Sequence, residues 1–302
     1  MVLITGGRGY LGQRISEHLQ QSDIKLRIGS RKLDHKFFSM DFTNEKSLDI
    51  ACKGVTSIIH LASINSKESE TNPKLANTIN SLGTLKLIKA AERNNINKII
   101  YFSTAHVYSS SLCGVIDEET KTLNPHPYAK SHLDAEKYVL DAHKRSVISG
   151  LVFRLTNAVG YPVTKEPNCW MLVANDLCKQ VVESKSMDVY SNKFIQRDFL
   201  PISAICSATL YALKNKNYDG QVLNLSSGNS LSLEKLTNLI AKRANKILDI
   251  RPKIIFKNQN NLSKDIPLFI LNKKLLESSL IFDISLTNEI DELLLRCQKW
   301  FG

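Results

Sequence analysis

Apolar positions along the first half of the chain switch between two spacings. Short runs rich in apolar and β-branched residues at Val2–Thr5, 57–62, 98–103 and 150–155 read as buried strands, and 24–28 as a further strand. Between them the spacing lengthens to three and four, as in Leu11, Ile15 and Leu19 with Gln13, Glu17 and Gln20 on the opposite face, which is the pattern of an amphipathic helix. Further helices are expected near Asn44, over about 77–94, and from about Tyr128. Strands alternating with helices imply an α/β architecture with a doubly wound parallel sheet. Beyond Gly160 the pattern loosens, and Pro162 and Pro167 interrupt it. A helix over 171–183, a strand over 222–225, a helix over 233–244, a polar loop over 258–263 and helical pieces at 274–278 and 288–301 are expected there.

The turn after the first strand carries chemistry. In MVLITGGRGYLG, Gly7-x-Gly9-x-x-Gly12 and Gly6-x-x-Gly9-x-x-Gly12 overlap. Either pattern lets the chain turn tightly, bring its backbone close to a pyrophosphate, and pack helix against strand. The helix N-terminus adds free N–H groups and partial positive charge for phosphates. A tight βα turn without a ligand is the plainer alternative, but strand before and helix after favour a nucleotide. Gly6, Arg8, Gly9, Tyr10, Leu11 and Gly12 are therefore candidate cofactor-binding residues. The second strand leads into Gly29-Ser30-Arg31-Lys32. An NAD-specific site ordinarily places an acidic residue here for the 2′-hydroxyl. Ser30, Arg31 and Lys32, with Arg8, suit a 2′-phosphate instead and favour NADP over NAD; a solvated turn is the alternative. A dinucleotide-binding domain is thus expected over 1–165, with a returning segment at about 192–215, and a smaller C-terminal substrate-binding lobe over 166–302.

Composition adds constraints. Of 302 residues, 43% are hydrophobic and 23% charged, which is ordinary for a soluble globular chain. No apolar run reaches eighteen residues, so no membrane partner is expected. The strand beginning at residue 2 leaves no room for a signal peptide, and the scattered Cys52, Cys113, Cys169, Cys178, Cys206 and Cys297 suggest neither metal nor disulfides. A cytoplasmic protein is expected. The net charge of +11 comes without a stripe of aromatics for stacking bases, so a phosphate-bearing substrate explains it better than nucleic acid.

Several segments in order resemble the extended short-chain dehydrogenase/reductase family, in particular its sugar-nucleotide epimerase/dehydratase group. They are ITGGRGYLG, Asp41-Phe42, IIHLAS, Asn80-Ser81-Leu82-Gly83-Thr84, IIYFSTAHVY, Pro127-Tyr128-Ala129-Lys130-Ser131, Arg154-Leu155-Thr156-Asn157, Gln196-Arg197-Asp198-Phe199 and Leu223-Asn224-Leu225. The resemblance implies a Rossmann-like fold and hydride transfer at a sugar carbon of a nucleotide-diphosphate sugar. Tyr128 would be the acid/base, and Thr104 the hydroxyl that positions the reacting oxygen. It places Asp41, Phe42, Leu61, Ala62, Ser63 and Asn80 beside the cofactor, with Asn80 as a buttress of the strand ends. It also assigns Asn157 and Arg197 to the substrate's phosphates, and implies a homodimer.

Two positions depart from the family. Where the family carries a lysine four residues after the tyrosine stands His132. Lys130 cannot replace it, because i+2 lies away from Tyr128 on a helix whereas i+4 lies beside it. A histidine can still bond a ribose, and a protonated one would lower the tyrosine pKa, although an ordinary pKa near 6.5 leaves it only partly charged at neutral pH. His106 stands where dehydratases carry a glutamate, which opposes 4,6-dehydration while leaving a candidate acid or base. An epimerase or reductase is expected. The alternative is a non-catalytic dinucleotide-binding sensor on the same fold.

Overall fold

A computed structural model describes residues 1–31, 37–257, 267–272 and 285–302. Lys32, the loop at 258–263 and the helical piece at 274–278 lie outside the described residues. The chain divides into two compact units, each assembled from three pieces.

The first unit comprises Met1–Ser111, Thr120–Leu155 and Cys206–Asn224. Its centre is a seven-stranded sheet built from β1 (Val2–Thr5), β2 (Leu26–Ser30), β3 (Phe38–Ser39), β4 (Ser57–His60), β5 (Lys98–Thr104), β7 (Ser149–Leu155) and β11 (Val222–Leu225), in the order β3-β2-β1-β4-β5-β7-β11. The pairs β1–β2, β1–β4, β4–β5, β5–β7 and β2–β3 are parallel. Reversal of strand order on either side of β1 makes the sheet doubly wound, and such folds place their ligands beyond the strands' carboxyl ends at that point. Leu3, Ile58, Ile99 and Val152 project from the sheet into one core with Leu48 of α2 (Glu45–Cys52), Leu87 and Ile88 of α5 (Gly83–Arg93) and Val139 of α6 (Pro127–Lys144).

The second unit comprises Leu112–Glu119, Thr156–Ile205 and Leu225–Gly302. A three-stranded sheet of β8 (Asn157–Val159), β10 (Gln196–Pro201) and β12 (Ser230–Ser232) shares a core with α7 (Val173–Ser184), α9 (Leu233–Leu248) and α10 (Leu286–Phe301), through Phe199, Leu177, Leu236, Ile240, Leu293 and Leu294. Two short parallel ribbons complete it, β6 (Gly114–Ile116) with β14 (Leu268–Ile270) and β9 (Ser186–Val189) with β13 (Lys253–Phe256).

Several boundaries differ from the sequence expectation for local reasons. β2 begins at Leu26 instead of 24, because residues 22–24 close the C-terminus of α1 (Tyr10–Gln21). Asp23 takes φ 60°, and the Ser22 and Ile24 N–H groups both donate to the Leu19 carbonyl. The helix expected over 77–94 is interrupted: Asn77–Leu82 is π-helical, preceded by α3 (Ser66–Thr71) and α4 (Pro73–Ala76) and followed by α5. The helix expected from 171 starts at Val173, after a turn in which the Leu172 N–H donates to Cys169 O.

Candidate active site

Thr5 closes β1 and begins the glycine turn. Its hydroxyl accepts the N–H groups of Leu61 and Ala62, both at 3.1 Å, and lies 2.7 Å from His60 Nδ1. On the other side of the imidazole, Nε2 lies 2.9 Å from Thr84 Oγ1, whose own proton goes to the Asn80 carbonyl at 2.6 Å. Thr84 can therefore only accept from His60, which puts the His60 proton on Nε2 and leaves Nδ1 to receive the Thr5 proton. Burial, then the nearby His132, pushes the His60 pKa down to about 3, so this link is neutral.

Gly6 has φ +69°, and a Cβ there would lie 2.9 Å from Ala62 N. At Gly12 a Cβ would lie 2.4 Å from the Gly6 carbonyl oxygen. These two positions need glycine, one for the turn and one for the close seating of α1. Gly9 caps α1 with no side-chain hydrogen bond, and no acidic residue stands in the first turn. The first turn of α1 thus carries neither a capping side chain nor a carboxylate to compete with an anion, which fits a dinucleotide pyrophosphate. Ser30 ends β2 buried, Arg31 beyond it is exposed, and the Arg8 guanidinium covers the Phe37 ring at 4.9 Å.

Other expected cofactor residues divide. Asp41 is exposed, with Oδ1 accepting from the Thr43 N–H and hydroxyl at 2.8 and 2.7 Å, and these bonds lower its pKa. The Phe42 ring is core, against Gly83 and stacked on His60 at 5.5 Å. The Asn80 amide, from the π-helical turn, is occupied by Ile64 N–H (2.8 Å), Ile64 O and Ser131 Oγ (3.1 Å). Leu61 and Ala62 are partly buried and Ser63 exposed beside this turn.

Tyr128 is placed by the first turn of α6. Asn124 holds the His106 carbonyl (2.6 Å) and the His126 N–H (3.0 Å). His126 then caps the helix, its Nδ1 accepting the Tyr128 N–H at 3.2 Å, with Pro127 at the first helical position. The Tyr128 hydroxyl meets Thr104 at the end of β5; Thr104 Oγ1 also accepts the His106 N–H at 3.1 Å. Burial pushes the Tyr128 phenol up to about 12, against the opposing effect of the Thr104 hydrogen bond. The His106 side chain is exposed on a 3₁₀ turn, Ala105–Val107.

Tyr128, His132 and Glu136 recur every four residues and share one face of α6. The His132 ring meets Tyr128 edge to face, with centroids 4.5 Å apart, and its Nδ1 lies 2.6 Å from the Tyr101 hydroxyl. Its Nε2 is enclosed without a hydrogen-bond partner among the described residues. Burial pushes its pKa down to about 4. The partly charged imidazole expected beside Tyr128 is therefore a neutral one, because no carboxylate compensates the lost solvent.

One turn further on, Glu136 forms a buried pair with Arg154 of β7: Nη2–Oε2 is 2.7 Å and Nε–Oε1 3.0 Å. Burial works against the Arg154 charge, and the Glu136 hydrogen bonds outweigh it. Ser103 donates to Glu136 at 2.5 Å, Arg154 to the Tyr108 hydroxyl at 3.1 Å, and Tyr108 to Asn224 at 2.6 Å. None of Tyr101, Ser103, Glu136 or His60 was singled out from sequence. The signal for Glu136 was the stripe it shares with Tyr128, and for Arg154 its place inside the apolar run GLVFRL.

In the second unit, Asn157 Nδ2 donates to the Asp198 carbonyl at 2.9 Å where β8 pairs with β10. Asp198 is buried, its carboxylate taking the Thr156 hydroxyl (2.7 Å) and the N–H and hydroxyl of Ser227 (2.9 and 2.7 Å). Burial still raises its pKa. Beside it the half-buried Arg197 guanidinium has no hydrogen bond or ion pair among the described residues, and burial lowers its pKa. A desolvated, unmatched guanidinium suits an anionic ligand.

A doubly wound parallel sheet and a glycine turn feeding an uncapped helix define an α/β fold of the dinucleotide-binding class, with a tyrosine–threonine pair at the end of β5. The chain belongs to the NAD dependent epimerase/dehydratase family, whose model matches residues 2–226. It is 26% identical over 253 residues to a putative UDP-glucose 4-epimerase of Methanocaldococcus jannaschii, spanning 80% of this chain and 81% of that one. Its fold matches that of RMD from Pseudomonas aeruginosa complexed with NADPH (TM-score 0.83, 21% identity, 99% of both chains). It also matches MoeE5 in complex with UDP-glucose and NAD (TM-score 0.83, 17% identity, 100% and 99%). Among the described residues no helix is long and apolar enough to cross a membrane.

Proposed function

We propose that this chain is an NAD(P)-dependent epimerase or reductase of a nucleotide-diphosphate sugar. The observation that carries the reading is the hydrogen-bonded Tyr128–Thr104 pair at the end of β5. Bound there, a nicotinamide would exchange hydride with a sugar carbon. Tyr128 exchanges the proton of the attached oxygen, and Thr104 orients that oxygen. The glycine turn and α1 hold the pyrophosphate, with Leu61, Ala62 and Ser63 alongside. Ser30, Arg31 and Arg8, with no acidic side chain among them, support NADP over NAD. Arg197, with Asn157, takes the substrate diphosphate. The solved relatives were captured with NADPH or with NAD and UDP-glucose, which supports this class of ligands. His106, exposed beside Thr104, is proposed as an accessory acid or base. The proposal includes a cytoplasmic homodimer, to be checked by sedimentation.

The test is a titration of the purified protein with NADPH and NADH, with mass spectrometry of any nucleotide released on denaturation. Tight NADPH and weak NADH support the reading. Retained NAD(H) removes the 2′-phosphate role of Arg31, and binding of neither removes the reading itself. The absence of a cation beside Tyr128 favours, as second reading, a sensor that binds without turnover. Tyr128→Phe separates the two, since only an enzyme loses something by it.

A further inference from the structure

Tyr101 and His132 are each 2% exposed, and their hydroxyl and Nδ1 lie 2.6 Å apart. Two proton arrangements satisfy that contact. If Nδ1 carried the imidazole proton, the Tyr101 O–H would have no acceptor among the described residues, and Nε2 would be a second buried group without a partner. If Tyr101 donates, only the Nε2–H is unmatched. The second arrangement leaves one buried orphan instead of two, and an unmatched buried polar group is costly. The dyad is therefore phenol O–H to bare Nδ1, with the proton on Nε2.

Titratable groups face this imidazole from three elements. They are Tyr101 of β5, Tyr128 on the same helix, and His60 of β4. Glu136 acts on Tyr101, and its charge is matched by Arg154. Lys130 is exposed. None of the described groups puts an unmatched cation beside Tyr128.

We propose that Tyr101 is a positioning residue that locks His132 as a neutral, Nε2-protonated support for Tyr128, and that this cation-free arrangement commits Tyr128 to donating a proton, so that the chain reduces a keto sugar. This rests on the function proposed above and gives it a direction. A reduced nicotinamide dinucleotide, when bound, supplies the hydride to the carbonyl carbon. The Tyr128 O–H bond breaks, its proton joins the carbonyl oxygen as the C=O π bond opens, and solvent returns a proton to the phenolate. The sugar is reduced and the nicotinamide oxidised. Oxidation of a hydroxyl would need Tyr128 as the anion at the outset; the Thr104 hydrogen bond favours that anion, but it acts against burial without the help of a cation.

The experiment uses the full chain with ¹⁵N-labelled histidine and ¹³C-labelled tyrosine, read by NMR from pH 5.5 to 10, beside the nucleotide titrations. Expected is a His132 that holds one proton, on Nε2, through neutral pH, with Tyr128 still a phenol at pH 10. Tyr101→Phe keeps the ring and is expected to mix the two His132 tautomers. His132→Lys is expected to raise the Tyr128 ionisation constant at least about tenfold, the effect of an adjacent cation. A cationic His132 at pH 7, tautomers unchanged in Tyr101→Phe, or a Tyr128 that ionises at or below the usual phenol value overturns the proposal. If the wild type also binds NADPH or NADH, only this inference falls. If it binds neither, the proposed function falls and this falls with it.

Discussion

At the scale of single residues, two histidines have been drawn out of water and left uncharged. His60 and His132 titrate near 3 and 4 in the fold but near 6.5 when unfolded. Between these values the unfolded chain binds more protons, so stability is complete above pH 6.5 and is lost as pH falls toward 4 and then 3. Across their windows His60 contributes on the order of 5 kcal/mol and His132 on the order of 3 kcal/mol. The thermal midpoint is expected to drop steeply below pH 6, and His132→Gln should flatten that slope; an unchanged slope would mean that His132 is solvated. Tyr128→Phe is expected to lower turnover by about 10²–10⁴-fold, the usual worth of an acid/base group, while nucleotide affinity holds. Steady-state rates on a keto sugar with NADPH, beside a binding titration, check both halves.

At the scale of elements, the site is a seam between α6, β5 and β7. Glu136 and Arg154 are its buried pair, and removing one partner strands the other. Glu136→Gln is expected to cost about 3–5 kcal/mol, read from the urea midpoint, and replacing both residues by methionine should recover much of it. The other joint is α1 against the glycine turn. Gly12→Ala puts a methyl 2.4 Å from the Gly6 carbonyl, so α1 must shift outward, at about 1–3 kcal/mol and with loss of nucleotide affinity. A folded Gly12→Ala variant with unchanged affinity would show that α1 does not hold the ligand. The sequence made much of this legible. Strand and helix periods located β1, β4, β5, α1 and α6, and the ordered motifs singled out Thr104 and Tyr128, which the fold brings into contact. The pairings of Tyr101 with His132 and of Glu136 with Arg154 stayed hidden. They join residues 31 and 18 positions apart, and no local period encodes a partner on another strand. The π-helical turn at Asn80 was missed because its six residues carry an ordinary helical polarity pattern.

At the scale of the whole molecule, neither unit is a continuous stretch of chain. The first is closed only by Cys206–Asn224, which supplies β11 and also Asn224, the acceptor of the Tyr108 hydroxyl. A fragment ending at residue 155 therefore lacks β11 and the partner of Tyr108. It is expected to be collapsed and aggregation-prone, with weak far-ultraviolet helix and sheet signal. Adding residues 206–224 in trans should restore order if that reasoning holds. Tyr108 and Asn224 are 116 residues apart, and at about 5–20 residues per second of synthesis the first waits several seconds for the second. β5 and the Tyr108 turn thus leave the ribosome long before their last anchor exists, and a newborn chain passes through an interval in which Thr104 and Tyr128 have both been made while the sheet beside them is still open.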